Sequence, residues 1–457
     1  MKVDLKITNC QIVKPDRTLS AGLAVNDGQI VMIAPDALLP QAKREISADG
    51  EYVLPGFIDP HMHVDWPDWD LIEATRASTK AAAAGGYTTV IDMLSGPGSL
   101  VEFFGKAEEI FEAFSYVDAA FHMAIFTEDQ ITEIPKMGDL GVSSFKFFLP
   151  YRGSEVVSPL VGIDDGIVYL GFKEIAKLGY PAKAVVHCEN IEIVFKLKDQ
   201  LMRVGDNADV SWDDVRPPVC EYEAIKRMVT FSEDTNCPFY IVHMSTKEGV
   251  RELKRARDEG VQATGETCVQ YLTLTARDVD RILGKVNPPL RKDKEHTERL
   301  WEALNEGIVE CIGSDHAPCA RRHKTEFWTA TVGMAGIQTL IPVLLTEGVY
   351  KNRITINKLA EICSYNVAKT FGLLPQKGLI EVGADADLVV LDMTKKSTVR
   401  ADELYHISDF SPFEGRDLTG GVKHTILRGN VIIEDGQVVG EPGVGKFVPR
   451  APRAQGG

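Results

Sequence analysis

The chain has 457 residues, 44% apolar and 25% charged, with 66 acidic against 50 basic side chains and a formal net charge of −16. That balance repels phosphate backbones and excludes recognition of nucleic acid through a broad basic face. The length allows two or three domains, or one large barrel with additions, and a core that needs no disulfide support.

The first segment, MKVDLKITNCQIV, alternates polar and apolar residues and carries Asp4, so it reads as a strand and not as a secretory leader. Residues 21–33 repeat the alternation across the turn residues Asn26, Asp27 and Gly28, which predicts a hairpin. Near the other end, 387–392, 423–427 and 430–434 show the same pattern. These segments predict one small β-sandwich domain assembled from both termini, residues 1–54 and 375–457, around a middle segment of residues 55–374.

The middle alternates apolar runs with amphipathic stretches of helical length. The runs are 53–58, 87–92, 117–125, 142–149, 183–188, 238–243, 260–266 and 308–313; helices are predicted at 71–84, 101–114, 166–178, 221–233 and 246–258. Strand–helix alternation repeated through eight runs predicts an α/β fold, a closed (β/α)8 barrel of the TIM type. The eight cysteines are scattered, never form a CxxC pair and read as reduced thiols of a cytoplasmic protein. No apolar run reaches the roughly 18 residues that span a bilayer, so no membrane partner is expected.

Active sites of such barrels lie at the C-terminal ends of the strands. The first run leads into Asp59-Pro60-His61-Met62-His63, the fourth holds Lys146, the fifth ends at His187, the sixth at His243, and the eighth runs into Asp315. Singly, each has an ordinary structural reading: a core histidine, a snorkelling lysine, a helix cap. Together they put six polar groups at the catalytic ends of five strands. His-x-His on extended backbone sets both imidazoles on one face, a metal-ligand arrangement, and a buried lysine needs a partner or a loss of charge.

GFIDPHMHVD, SSFKFFLPYRG, VVHCEN, IVHMS and GSDHAP resemble, in order and context, the metal-site motifs of the amidohydrolase superfamily. RPPVCEYEAI, GETCVQYL, KVNPPLR, SYNVAKTFGL and GLIEVGADADLVVLD extend the likeness to its cyclic-amidase branch, which includes hydantoinase/dihydropyrimidinase, allantoinase and dihydroorotase. The resemblance implies two divalent metal ions, usually Zn2+: His61, His63 and Asp315 on one, His187 and His243 on the other, and Lys146 carbamylated (an N6-carboxylysine) between them. It implies a metal-bridging hydroxide that attacks a ring amide, Tyr151 as hydrogen-bond donor to the oxyanion, and Asp315 as proton shuttle. Asn287 and Gly333 fall where the family's backbone reads the cyclic amide, although many hydantoinases have serine in place of Asn287. Glu189 and Glu266 are expected to support the ligands, His316 to support them or to be structural, and His122, His296, His323, His406 and His424 to be structural.

Within the branch, His63 is followed by Val64-Asp65 and not by the arginine that grips dihydroorotate, which disfavours an anionic substrate. The strings around His187, Glu266 and Asn287 point to a hydantoinase or dihydropyrimidinase acting on a small cyclic amide, while SDHAPC and GMAGIQTLIPVLLTEG lean toward allantoinase, the alternative. Trp66, Pro67 and Trp69 are candidates for an aromatic wall, or for packing at the barrel rim. A third reading, a scaffold relative that has lost its ligands, is disfavoured because all six ligand positions are filled. The family usually forms homotetramers, with a homodimer as the alternative. The last stretch, EPGVGKFVPRAPRAQGG, has no periodicity and reads as a disordered tail or, preferably, an arm on a neighbouring subunit.

Overall fold

The computed structural model describes residues 2–64, 66–96, 98–155, 161–204 and 209–450. Eight parallel strands form one sheet in sequence order: Phe57–Met62, Tyr87–Leu94, Asp118–Ala124, Ser144–Phe148, Lys183–His187, Phe239–Ile241, Ala263–Cys268 and Cys311–Gly313. A parallel bridge between Met62 and His316 closes it, with His63 N–H donating to His316 O at 2.8 Å. Seven of the eight predicted runs correspond to strands. The first straddles a boundary, because Tyr52–Pro55 belongs to the terminal sheet and the barrel begins at Phe57. Pro55 and Gly56 interrupt the run, and apolar content alone does not show that interruption.

The helices follow their sequence signals. Leu71–Ala84 starts at Asp70, whose Oδ1 accepts from Ile72 N and Glu73 N at 3.1 Å, and ends at Gly85. Its buried face is small (Ala74, Ser78, Ala81, Ala82), so it packs close to the barrel. Gly86 has φ +89°, and a Cβ there would meet the Phe57 ring at 2.9 Å. The other predicted helices lie at Leu100–Phe114, Asp165–Ala176, Pro218–Thr235 and Lys247–Asp258.

The two termini share a second body of two sheets. One runs Gln29–Ala34, Gly22–Asn26, Val3–Thr8, Ala42–Ser47. In the other, Leu388–Thr398 pairs antiparallel with both Tyr52–Pro55 and Asp417–Leu427. Asp27 and Gly28, at φ 50° and 79°, make the turn of the expected hairpin. Ile7, Leu23, Val25, Val53, Leu388 and Ile426 bury each other between the sheets.

A buried ion cluster ties this body to the barrel. Lys377 Nζ donates to Asp118 Oδ2 (2.7 Å), Asp385 Oδ2 (3.0 Å) and Asp387 Oδ2 (2.7 Å), and Arg428 also pairs with Asp118. The three carboxylates have the spacing of a metal site, but the lysine ammonium already sits among them.

The C-terminal segment corrects the sequence reading. Residues 441–450 form neither a free tail nor an arm on a neighbour; they pack against this chain's own barrel. Ala119 N donates to Lys446 O at 2.9 Å, Val448 N to Ala119 O at 2.8 Å, and Arg450 N to Gly141 O at 2.7 Å. Phe447 stacks on Phe121 at 5.5 Å, and Arg450, 1% exposed, reaches Ser144 Oγ and Phe121 O beneath the barrel. These contacts are irregular and long-range, so they leave no periodic trace in the sequence. Residues 451–457 lie outside the described residues.

Candidate active site

The C-terminal ends of the strands converge on one polar cluster. His61 Nε2 lies 3.3 Å from His63 Nε2 and 3.3 Å from Asp315 Oδ1, and His63 Nε2 lies 3.7 Å from the same oxygen. On the opposite side His187 Nδ1 and His243 Nε2 are 3.1 Å apart. The rings of His61 and His243 are 5.2 Å apart, which joins the two groups. Lys146 projects between them from the fourth strand. Its amine is fully buried without a hydrogen-bond partner, 4.8 Å from the centroid of the Phe148 ring. All six predicted ligand residues are therefore brought together. His243 lies two residues beyond its strand, and both His243 (φ 42°) and Asp315 (φ 49°) adopt left-handed backbone, a conformation concentrated at functional sites.

The outward nitrogens are held by carboxylates. Glu266 Oε1 lies 2.7 Å from His61 Nδ1 and accepts from His243 N at 3.1 Å, while its Oε2 accepts from Tyr240 OH at 2.9 Å. Glu189 Oε2 lies 2.7 Å from His187 Nε2 and also accepts from Arg216 at 2.9 Å; Arg216 continues to Glu155 at 3.0 Å. A carboxylate behind an imidazole fixes its tautomer and orients its free lone pair. Gly313 makes room for this: a Cβ there would lie 2.8 Å from Glu266 Oε1.

Burial decides the charge states. It pushes all four histidines down, His187 to about 4, so they present neutral nitrogens. It pulls the Lys146 ammonium down to about 8, against the opposing pull of Glu266 and Asp315, and raises Glu266 to about 7. The donor set suits borderline divalent metals: imidazole nitrogens, one carboxylate, and an amine that can become an anionic oxygen donor. His61, His63 and Asp315 offer atoms that all lie within 4.8 Å of one another.

Tyr151, 8% exposed, packs its ring edgewise on His187 with centroids 5.7 Å apart, and burial raises its phenol. Asn287 and Gly333 line the same cavity. Asn287 Oδ1 accepts from Trp212 Nε1 at 2.7 Å, so its side chain is committed to the wall. Gly333 N donates to Lys285 O at 3.2 Å. The remaining walls include Trp66, Phe148, Val286 and Val332, and Trp66 is pinned by Nε1 donating to Val332 O at 2.7 Å.

His316 closes the barrel beside the site, bridging Ser78 Oγ (3.2 Å) and Gly336 N (3.2 Å). His122 lies deeper, between Ser144 Oγ and Pro60 O, a structural place like the one expected of it. Asp59 was not singled out from the sequence. It accepts from Ser314 N at 2.9 Å and Ser314 Oγ at 2.5 Å, joining the strands that carry His61 and Asp315, and burial raises it to about 7. Its place in the DPHMH string was the available signal.

Residues 216–432 match the model of the amidohydrolase family. Over 98% of this chain and 99% of its own length, a D-hydantoinase from Ralstonia pickettii is 34% identical. An allantoinase from Desulfitobacterium hafniense is 33% identical over 97% of this chain and 98% of its own. The solved L-hydantoinase (dihydropyrimidinase) from Arthrobacter aurescens superimposes with a TM-score of 0.91 at 33% identity, covering 98% of this chain and all of that one. With six converging ligand candidates, an eight-stranded barrel and relatives that match from end to end, the chain belongs to the amidohydrolase family, in the branch that holds the hydantoinases, dihydropyrimidinases and allantoinases.

Proposed function

We propose that this protein opens the ring of a hydantoin or dihydropyrimidine by hydrolysing its amide bond, with residues 55–374 as the catalytic unit and 1–54 with 375–457 as its β companion. The observation that carries the reading is the orphaned Lys146 amine between the His61–His63–Asp315 and His187–His243 groups. His61, His63 and Asp315 would hold one divalent ion and His187 with His243 the other, with Lys146 bridging as a carbamate. A buried amine near pKa 8 has the neutral fraction that adds CO2 and releases a proton, and the product spares the protein a buried cation. Two bound ions, Zn2+ by the donor set, would supply activation of water at neutral pH and a Lewis-acid pull on the ring carbonyl.

The chain's own residues do the rest. Tyr151 donates its phenolic hydrogen to the oxygen that gains charge as the carbonyl becomes tetrahedral. Asp315, which burial holds well above the usual carboxylate range, accepts the nucleophile's proton and passes it to the leaving ring nitrogen. The backbones at Asn287 and Gly333 read the amide edge, and the apolar walls exclude water.

The lining favours a neutral ring with an apolar substituent. Among the described residues that line the cavity, Lys146 is the only lysine or arginine, so none of them offers a free cation to a substrate carboxylate, and Trp66, Phe148, Val286 and Val332 offer no partners for a ureido chain. A hydrolysis panel on the zinc-loaded protein tests this: hydantoin, 5-phenylhydantoin, dihydrouracil, allantoin and dihydroorotate. Turnover led by a substituted hydantoin or dihydrouracil is expected. Turnover led by allantoin would establish the alternative reading, and ring opening of none would overturn the proposal. We further propose a homotetramer, which light scattering on the eluting protein would check.

A further inference from the structure

A second cavity, about 440 Å3, lies at the opposite end of the barrel from the metal-ligand cluster. It is bounded by the segment leading into the fifth strand, the start of the seventh, Glu310 before the eighth, and residues 366–370. Lys183 opens the fifth strand and lines this cavity. By the two-residue period of a strand it shares the inward face with Val185 and His187. The side chain is 8% exposed and its ammonium lies 5.5 Å from the centroid of the Phe371 ring. It has no hydrogen bond and no ion pair with any described residue.

A largely buried cation answered by no carboxylate and only by the face of the Phe371 ring is poorly compensated, and a purely structural position here would be served by leucine or methionine. The surroundings do not neutralise it. The nearby carboxylate, Glu310, is engaged by Arg257 at 2.9 Å. Arg257 and Lys369 also line the cavity, giving three cationic residues against one acid in a chain of net charge −16. The other groups that face Lys183 are the thiols of Cys237 and Cys311 and the guanidinium of Arg450, which has no carboxylate partner. Burial pushes the Lys183 ammonium down to about 8.

We propose that this basal cavity is a binding site for a small oxyanion, a phosphate or a compact carboxylate, held through the Lys183 ammonium. The inference does not depend on which ring the enzyme opens. Peptide-resolved acetylation of the metal-loaded full chain tests it, because reading the Lys183 peptide ignores any anion bound at the metals. Inorganic phosphate and N-carbamoylglycine are the probes, standing for a free ion and for an acid of the kind that ring opening releases. At about ten times its dissociation constant, the bound anion should slow Lys183 acetylation about tenfold, with exposed lysines unaffected. Protection by phosphate or by the carbamoyl acid identifies which source fits; protection by neither overturns the site. Calorimetric titration with whichever anion protects Lys183 should show a binding event that Lys183→Met removes and Lys183→Arg retains, and an isotherm of that anion unchanged in Lys183→Met would also overturn it. If Lys183→Met fails to fold, the labelling on the unaltered chain still decides.

Discussion

Glu266 Oε1 lies 2.7 Å from His61 Nδ1 and 3.1 Å from the backbone N of His243, so a single carboxylate oxygen braces a ligand from each half of the site. Glu266→Gln keeps the shape and removes the charge. The amide cannot hold both the imidazole N–H and the peptide N–H as strongly, so both halves loosen. Metal affinity should fall about 10–100-fold, with much of the turnover restored at saturating zinc. Chelator competition checks this; unchanged affinity would show that the carboxylate only fills space.

Lys146→Ala removes the unpartnered amine that shares the cavity with both groups of candidate ligands. With several kcal/mol of stabilisation lost, kcat/KM should drop at least about 10³-fold at ~4 kcal/mol, and bound metal should fall in parallel. Acetate or propionate can place a carboxylate where the proposed carbamate would sit, so part of the activity should return with either. Elemental analysis alongside a rescue titration checks both effects, and full metal content with undiminished hydrolysis would falsify the bridging role.

Tyr151→Phe tests a different step. The phenol packs on His187 but ligates nothing, so metal content should hold while kcat drops about 10²–10³-fold, the cost of one oxyanion donor. KM should change little, because the hydrogen bond strengthens only as charge develops. A loss confined to KM would make Tyr151 a substrate-binding group instead.

The convergence of the six candidate ligands was legible because strands advertise themselves. Apolar runs marked where each strand ends, and the two-residue period put His61 and His63 on one face. The barrel floor was not legible. Arg450 belongs to a Pro/Gly-rich stretch whose contacts with Gly141, Ser144 and Phe121 are all long-range. Lys183 stands in KAVVHC, where His187 drew attention. Lys377 is unremarkable until folding brings Asp118, Asp385 and Asp387 around it. Local pattern reports local periodicity, and buried charge networks have none.

Lys377→Met isolates that network. It leaves three carboxylates within 4.8 Å of one another, with Arg428 as their remaining cation among the described residues and neutral donors from Gln376 and Lys446 N beside it. Breaking a buried cluster from one side costs about 3–5 kcal/mol, visible as a lower melting temperature. The deficit should shrink in acid. Burial already raises Asp387; a carboxylate raised above its unfolded value binds protons in the folded state first, so the variant gains stability as pH falls toward that range. A deficit that stays constant from neutral to mildly acidic pH would mean that lost packing, not charge, is the cause.

Trp66 forms a wall of the substrate cavity while its Nε1 is committed to Val332 O at 2.7 Å, so the indole face is fixed in place and apolar. A substituent on the substrate ring would meet that face. An unsubstituted ring held by its amide edge near Asn287 and Gly333 would not reach it. Trp66→Ala should therefore lower kcat/KM for 5-phenylhydantoin more than for hydantoin, by about 1–3 kcal/mol or roughly 10–200-fold, the range for one apolar contact. Trp66→Phe should fall between, since it keeps a ring but loses the hydrogen bond that orients it. Equal losses on both substrates would show that Trp66 supports the Val332 segment and leaves the choice of substituent to other walls.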